Sequence, residues 1–197
     1  MAAPRLLLAS ASPRRRDILS ALGLEFEISP VDIDETPRPG EDAATLVVRL
    51  AREKALAGAR RDFVVLAADT EVVLDGEIFG KPGGRDEALE MLARLSGREH
   101  EVLTGVAVYT SRNVETRLSR TSVRFRDIGR DEALDYWHSG EPRDKAGAYG
   151  IQGLGGVFVS RIEGSYSGVV GLPVCETASL LAAAGLDIIG KGIERDV

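Results

Sequence analysis

The stretch Phe63–Phe79, "FVVLAADTEVVLDGEIF", decides how the rest of the chain is read. Phe63 to Ala68 is an apolar run with no polar break. Such a run fits a central strand covered on both faces, because a half-exposed strand would alternate. Val72-Val73-Leu74, Asp75-Gly76 and Glu77-Ile78-Phe79 follow as a hairpin pattern, since Asp-Gly supplies the backbone angles of a tight turn. Asp69 and Thr70 therefore stand at the expected end of the buried strand, where α/β sheets gather their ligands. A carboxylate there could hold Mg²⁺ or take a proton from water. The plainer alternative is a turn aspartate bonding its own backbone.

Outward from this strand, helix and strand patterns alternate. Arg5 to Ala9 reads as a buried strand. Ser12 can cap a helix from Pro13 to Leu22, with proline at its favoured first position and Gly23 closing it. Glu25 to Ser29 alternates as a second strand, and residues 30–40 are loop, rich in proline and acid. A helix follows from about Asp42 to Ala57, with Leu46, Val47, Leu50 and Lys54 at helical spacing. Arg85 to Leu95 is helical. Val102 to Tyr109 and Glu115 to Phe125 form a long hairpin around Ser111-Arg112-Asn113. Asp131 to Ser139 is a short helix closed by Gly140. A glycine-rich stretch, 147–156, leads to a strand at Val157 to Ile162, and a last helix follows Pro173. The class is α/β with a mixed sheet. The hairpin and short helix around residues 102–140 could form a small lobe and so create a cleft, within a single domain spanning 1–197.

Composition narrows the function classes. A chain of 197 residues with 44% hydrophobic and 28% charged content is an ordinary globule large enough for a sizeable core. A net charge of −6 argues against a polymeric nucleic-acid partner while leaving room for a local cationic pocket. Cys175 is the single cysteine, so no intrachain disulfide forms and a reducing cytoplasm is the expected location. It lies in an apolar run and is expected to pack. With His100 and His138 the only histidines, a Cys/His zinc site is not expected. No signal peptide is expected, since no charged N-terminal segment is followed by a long apolar core, and no membrane span, since no run approaches the necessary ~20 apolar residues.

Three further motifs carry chemistry. In "LLLASASPRRRDIL" (6–19), a strand, a small-residue loop and a helix start make an anion site. Free N–H groups and the helix dipole favour negative charge there. Ser10 and Ser12 add hydroxyls, and Arg14 and Arg15 add forked donors for phosphate. Three consecutive arginines oppose that dipole unless a polyanion sits among them. A capped helix with a solvated basic face is the alternative. Arg16, a helical step further on, is expected to face solvent or an acidic partner. "GEIFGKP" (76–82) is not a P-loop, being one residue short with Pro82 in place of Ser/Thr, but Lys81 could contact phosphate. "DKAGAYGIQGLGG" (144–156) lets a backbone approach a ligand closely. Tyr149 can offer a flat face there, and Gln152 can read a base edge. A purely structural glycine loop is again the alternative. "EGSYSGVVGLP" (163–173) is a second such loop.

These motifs together resemble the Maf proteins, nucleoside triphosphate pyrophosphatases once described as septum-formation inhibitors. "SASPRR", "ADT", "GKP" and the run from Asp144 to Pro173 carry the resemblance, with "REKA" (52–55) and "TGVAV" (104–108) in support. It spans nearly the whole chain, departing at Gly168, where a larger polar residue is expected. The resemblance implies an elongated mixed sheet flanked by helices with a deep cleft, as in inosine-triphosphate pyrophosphatases. It implies hydrolysis of a nucleoside triphosphate to the monophosphate and pyrophosphate, helped by a divalent cation (Mg²⁺ or Mn²⁺). Asp69 matches the proton acceptor. Glu35, Lys54 and Lys81 match charged catalytic residues, and Arg14, Thr70 and Gln152 match positions that set substrate choice. Glu35 and Asp69 are the expected metal holders. The Ala-Asp-Thr and Gly-Ile-Gln-Gly forms look like the dTTP/UTP branch, with the 7-methyl-GTP branch as the rival. The family also suggests a homodimer. A non-catalytic nucleotide-binding regulator of cell division is the alternative from another class.

Overall fold

The computed structural model describes residues 4–111 and 113–189; Arg112, at the tip expected for the long hairpin, lies outside them. The strands are β1 (Arg5–Leu8), β2 (Phe26–Ile28), β3 (Phe63–Leu74), β4 (Glu77–Phe79), β5 (Glu99–Tyr109), β6 (Val114–Phe125) and β7 (Val159–Glu163). The helices are α1 (Pro13–Ala21), α2 (Ala43–Ala57), α3 (Arg85–Leu95), α4 (Arg130–His138), α5 (Tyr166–Val170) and α6 (Val174–Ala183). All seven strands share one sheet, ordered β2-β1-β3-β5-β6-β7, with β4 paired to β3 beyond the end of β1. β1 runs parallel to β2 and β3, and the remaining pairs are antiparallel. This is the mixed α/β sheet flanked by helices that the sequence implies.

The opening stretch is bolder than its pattern. Phe63–Leu74 is one 12-residue strand rather than a strand, a break and a hairpin arm. Asp69, Thr70 and Glu71 keep their register against Gly105, Thr104 and Leu103 of β5, so the polar step does not end the strand. On its other side β3 pairs with β1 only over Phe63–Leu66 and with β4 only over Val72–Leu74. Residues 67–71 therefore have a strand neighbour on one side alone, and the sheet is notched between β1 and β4. The Asp75-Gly76 turn is as expected, with φ of 52° and 81°.

Alternation along β3 divides the core. Val65 and Ala67 pack under Ala51 and Ala55 of α2. Leu66 and Ala68 face the other way, against Leu19 of α1 and Leu180 and Leu181 of α6. Further along that second face, Val72 and Leu74 join Leu92 and Leu95 of α3 with Phe125, Tyr136 and Phe158. Thr70 and Thr104 lie between these two apolar clusters, joined by a 3.0 Å hydrogen bond. The hairpin strands β5 and β6 run in the main sheet, whereas α4 packs in the second cluster. Cys175 does not pack as expected. It is exposed, because Thr177, Leu180 and Leu181 form the inward stripe of α6 and Cys175 falls on the opposite face.

Gly105 sets how closely α2 lies on the sheet. A Cβ there would come within 3.0 Å of the Val47 carbonyl and the Val48 amide, backbone atoms that cannot swing aside. Val47 and Lys54 are two helical turns apart on the buried face of α2, and Gly105 is the register partner of Asp69. The glycine therefore governs the distance at which Lys54 meets the sheet. Gly105→Ala should lower the unfolding free energy by about 1–3 kcal/mol, the usual cost of overpacking. Urea denaturation checks this, and a variant as stable as wild type would contradict the contact.

Candidate functional site

A cavity of about 740 Å³ opens at the notch. Ser10, Ser12 and Arg14 line it from the loop after β1 and the start of α1, and Asp69 and Thr70 line it from β3. Glu35, Lys54, Lys81 and Gln152 complete the expected set. Because β3 has a free edge here, neighbouring residues that point to opposite faces of the sheet reach the same space.

Lys54 is the anchor. It occupies the apolar stripe of α2 beside Leu50 and Ala51, where a lysine is rarely placed without a partner. Its Nζ lies 2.7 Å from Asp69 Oδ1 and 2.6 Å from Glu35 Oε1. Glu35 comes from the long loop after β2. That loop is tied to α2 by Arg49, whose Nε and Nη2 meet both oxygens of Glu41 at 2.6 and 2.7 Å and whose Nη2 also reaches the Thr36 carbonyl at 3.1 Å. The Arg49 hydrogen bonds hold the Glu41 carboxyl down at about 2. Asp42 caps α2 by accepting from the Thr45 amide at 2.8 Å.

The start of α1 is built as expected, with one difference in use. Ser12 Oγ accepts from the Arg15 amide at 3.5 Å, and Ser10 Oγ accepts from the Ser12 amide at 3.2 Å. Both hydroxyl oxygens thus take protons from the protein, which leaves their own O–H groups to donate outward. Arg14 is the more available arginine, with a single long pair to Asp144 Oδ2 across the cavity at 3.7 Å. Arg15 turns inward. Its guanidinium donates to the Gly171 carbonyl at 2.8 Å, to Ser10 Oγ at 3.2 Å and to Thr70 Oγ1 at 3.3 Å. It works here as a strut between α1, β3 and the loop after α5. Arg16 is exposed and pairs with Asp17 at 3.1 Å.

Thr70 is fixed by Arg15 and Thr104, and Thr104 Oγ1 donates in turn to the Gly168 carbonyl at 2.8 Å. Gly168 N donates to Ser165 Oγ at 3.0 Å, so glycine at this position is held at both of its backbone groups. Lys81 and Gln152 are exposed on the rim. Tyr149 does not present a flat face. Its ring is packed edge-on against His100 and Phe125, and its hydroxyl lies 2.9 Å from His100 Nε2. The glycine-rich run also differs in what its backbone approaches. The amides of Leu154 and Gly155 converge on the carboxylate of Glu141, at 2.8 and 3.0 Å.

Sequence reasoning missed Glu71, Lys145 and Glu141. Glu71 lines the cavity two residues beyond Asp69, and the strand period of two is the signal that could have found it. Its Oε2 is buried without a hydrogen-bond partner, as is Asp69 Oδ2. Burial, then the nearby Asp69 and Glu35 charges, push the Glu71 carboxyl up to about 7. A divalent cation needs hard oxygen donors, and Mg²⁺ commonly takes one or two carboxylates plus phosphate oxygens. Glu35, with Asp69 and its unpartnered oxygen, fits that donor set. No cluster of three acidic, histidine or cysteine side chains poised for a metal exists among the described residues.

Buried His100 and half-buried Glu71 give opposite pH dependences. Burial lowers His100 to about 4, so its contribution to stability is complete above pH 6.5 and is lost as pH falls toward 4. Glu71, raised to about 7, contributes fully below pH 4.5 and loses that contribution as pH rises to 7. The two slopes oppose each other through the overlap. Glu71→Gln should therefore uncover the histidine term: relative to wild type, its unfolding free energy should fall by about 2 kcal/mol from pH 6.5 to 4.5. Urea curves at three pH values test this, and parallel profiles for the two proteins would refute it.

The family model described as Maf-like protein matches residues 5–184. A protein of Hahella chejuensis named dTTP/UTP pyrophosphatase is 55% identical over 189 residues, covering 93% of this chain and 94% of its own length. Proteins of the same name from Methylococcus capsulatus and Chromobacterium violaceum are 55% and 54% identical, covering 92% and 93% of this chain and 92% and 96% of their own lengths. With the family model matched over residues 5–184 and relatives this similar over most of the chain, the chain belongs to the Maf family.

Proposed function

We propose that this chain, acting as a single domain, hydrolyses dTTP and UTP to the nucleoside monophosphate and pyrophosphate. One observation carries the reading: hydroxyls and cations from the start of α1 face the Lys54–Asp69–Glu35 cluster across one cavity. The relatives named dTTP/UTP pyrophosphatase support the choice of nucleotide. The reading goes with a cytoplasmic protein, and no described helix is long and apolar enough to cross a membrane.

The chemistry follows from the charges. A triphosphate brings about four negative charges, so positioning and neutralisation supply most of the rate. Ser10 and Ser12 donate to phosphate oxygens at the positive end of α1, and Arg14 exchanges its long pair with Asp144 for a phosphate oxygen. Lys81 closes the cationic wall from the rim. Lys54 grips Asp69 Oδ1, and Asp69 Oδ2 is left buried without a hydrogen-bond partner beside the cavity. That oxygen takes a proton from the water that attacks the α-phosphorus. The P–O bond to the bridging oxygen breaks, and pyrophosphate leaves with the negative charge. Mg²⁺ or Mn²⁺ held by Glu35 and Asp69 would supply further neutralisation of the phosphate oxygens when bound. Gln152 meets the base from the rim, and Thr70, locked by Arg15 and Thr104, shapes the floor.

Asp69→Asn keeps the shape of the side chain while removing the proton acceptor. It should fold normally and lose about 10²–10⁴-fold in pyrophosphate release from dTTP. Near-wild-type turnover would remove Asp69 from the chemistry. If wild-type protein with Mg²⁺ leaves dTTP intact yet is stabilised by it against heat, the chain is a nucleotide sensor and the enzymatic reading fails.

Gln152→Glu swaps an amide donor for a second acceptor at the proposed base contact. The ranking across dTTP, UTP, CTP, GTP and 7-methyl-GTP should change more than the overall rate. An unaltered ranking would show that Gln152 does not read the base.

A further inference from the structure

The loop that carries Gln152 is wrapped around an internal anion. Glu141 begins the 3-10 turn Glu141–Asp144 that follows α4. Its Oε1 accepts from the Tyr136 hydroxyl at 2.8 Å and the Gly155 amide at 3.0 Å, and its Oε2 accepts from the Leu154 amide at 2.8 Å. Tyr136 extends the clamp, because its hydroxyl oxygen accepts from the Gly150 amide at 3.0 Å. The amides of residues 150, 154 and 155 are thus fixed, directly or through Tyr136, to one carboxylate. Gln152 lies at the middle of the bracket.

The glycines make this approach feasible. A Cβ on Gly153 would collide with the Glu141 carboxylate, and one on Gly155 would collide with the Tyr136 hydroxyl. A Cβ on Gly150 would press on the Lys145 side chain, whose Nζ donates to the Glu141 carbonyl at 2.8 Å. Successive amides turned toward a carboxylate form a nest of the kind that otherwise binds a free anion. Here the anion is part of the chain and the ligand-facing element is the side chain the nest leaves outside, Gln152.

We propose that Glu141 is a positioning residue for base selection, setting the place of Gln152 in the cavity through the Leu154 and Gly155 amides and through Tyr136. This rests on the reading of Gln152 as the group that faces the base. A carboxamide at residue 141 has one oxygen where the carboxylate has two, so one amide of the nest would meet an N–H instead of an acceptor. The loop then loses its fixed register while the phosphate wall, on other elements, keeps its own.

The test is the ratio of kcat/KM for dTTP to that for CTP, which does not depend on how much of a preparation is folded. Glu141→Gln should lower that ratio about tenfold, with kcat on dTTP changing less than KM. In a Gln152→Ala background the same substitution should leave the ratio where Gln152→Ala alone has put it. Tyr136→Phe keeps the buried ring and removes only the hydroxyl. It should shift the ratio in the same direction by a smaller factor, and it serves if Glu141→Gln does not fold. Hydrogen exchange, a readout independent of turnover, should show faster exchange at residues 150–155 in both variants than in wild type. An unchanged ratio in the folded variants, or an equal fall with and without Gln152, would overturn the positioning role. Failure of the underlying reading shows separately, as a ratio that Gln152→Ala does not alter in otherwise wild-type protein, and that result overturns the proposal as well.

Discussion

The site is organised around one ammonium group kept almost out of water. Lys54 is 11% exposed at its side chain and holds Asp69 and Glu35 from a position in the apolar stripe of α2. Burying such a group is costly unless its partners are close and well placed, because water's stabilisation of the charge is forfeited. Three separate features provide that placement. Leu46, Val47 and Leu50 seat α2, Gly105 lets it lie against the sheet, and Arg49 draws the Glu35 loop onto it. Two of these lie on α2 itself and the third on β5. Neutralising one carboxylate leaves Lys54 the other, whereas removing the ammonium would leave Asp69 and Glu35 without their shared cation, so packing and chemistry are bound together at this point.

The notch in the sheet explains how one strand can serve two walls. In a fully paired strand, alternate side chains go to opposite faces and never meet. β1 stops pairing at Leu66 and β4 begins at Val72, so the intervening edge of β3 is open to the cavity. Asp69 works toward α2, and Thr70 works toward Arg15 and Thr104. The polar pair Thr70–Thr104 also divides the apolar core into two clusters on that face. A cleft between the clusters follows from the break in apolar packing.

The alternation of elements was legible in the sequence because each strand and helix declares its own period. α3 falls where the pattern puts it, and the Asp75-Gly76 turn follows from backbone preference alone. The continuity of β3 was not legible. Asp69-Thr70-Glu71 imitates the end of a strand, since polar residues in a buried run usually mark an exit, and only a notch bounded by other elements makes them tolerable inside one. Ser10, Ser12, Arg14 and Asp69 stood out by residue type and position, whereas Glu35 and Lys54 came only with the family resemblance and Glu71 was missed. The partners of the site residues were not legible, because Arg15 finds the Gly171 carbonyl 156 residues away and nothing local announces that contact. The glycine run was ambiguous for a related reason: small residues show that something approaches a backbone, but not whether it is a ligand or Glu141.

Most of the cations around the cavity are already engaged by the protein. Lys54 has Glu35 and Asp69, Arg14 has Asp144, Lys145 has Asp144, and Arg15 has a carbonyl and two hydroxyls. Lys81 has no ion pair among the described residues. A polyanion entering this space therefore trades partners with acidic groups more than it fills vacant charges. The arrangement keeps like charges from repelling one another in the free protein. It also makes the gain on binding the difference between two sets of ion pairs. A phosphate oxygen competes best where the resident contact is longest, and that contact is Arg14 to Asp144 at 3.7 Å. It competes least at Arg15, whose three contacts tie α1 to the floor of the cleft. The consecutive arginines that oppose the dipole of α1 are thereby reconciled. One is available to an incoming anion, one holds the site together, and the third is paired at the surface with Asp17.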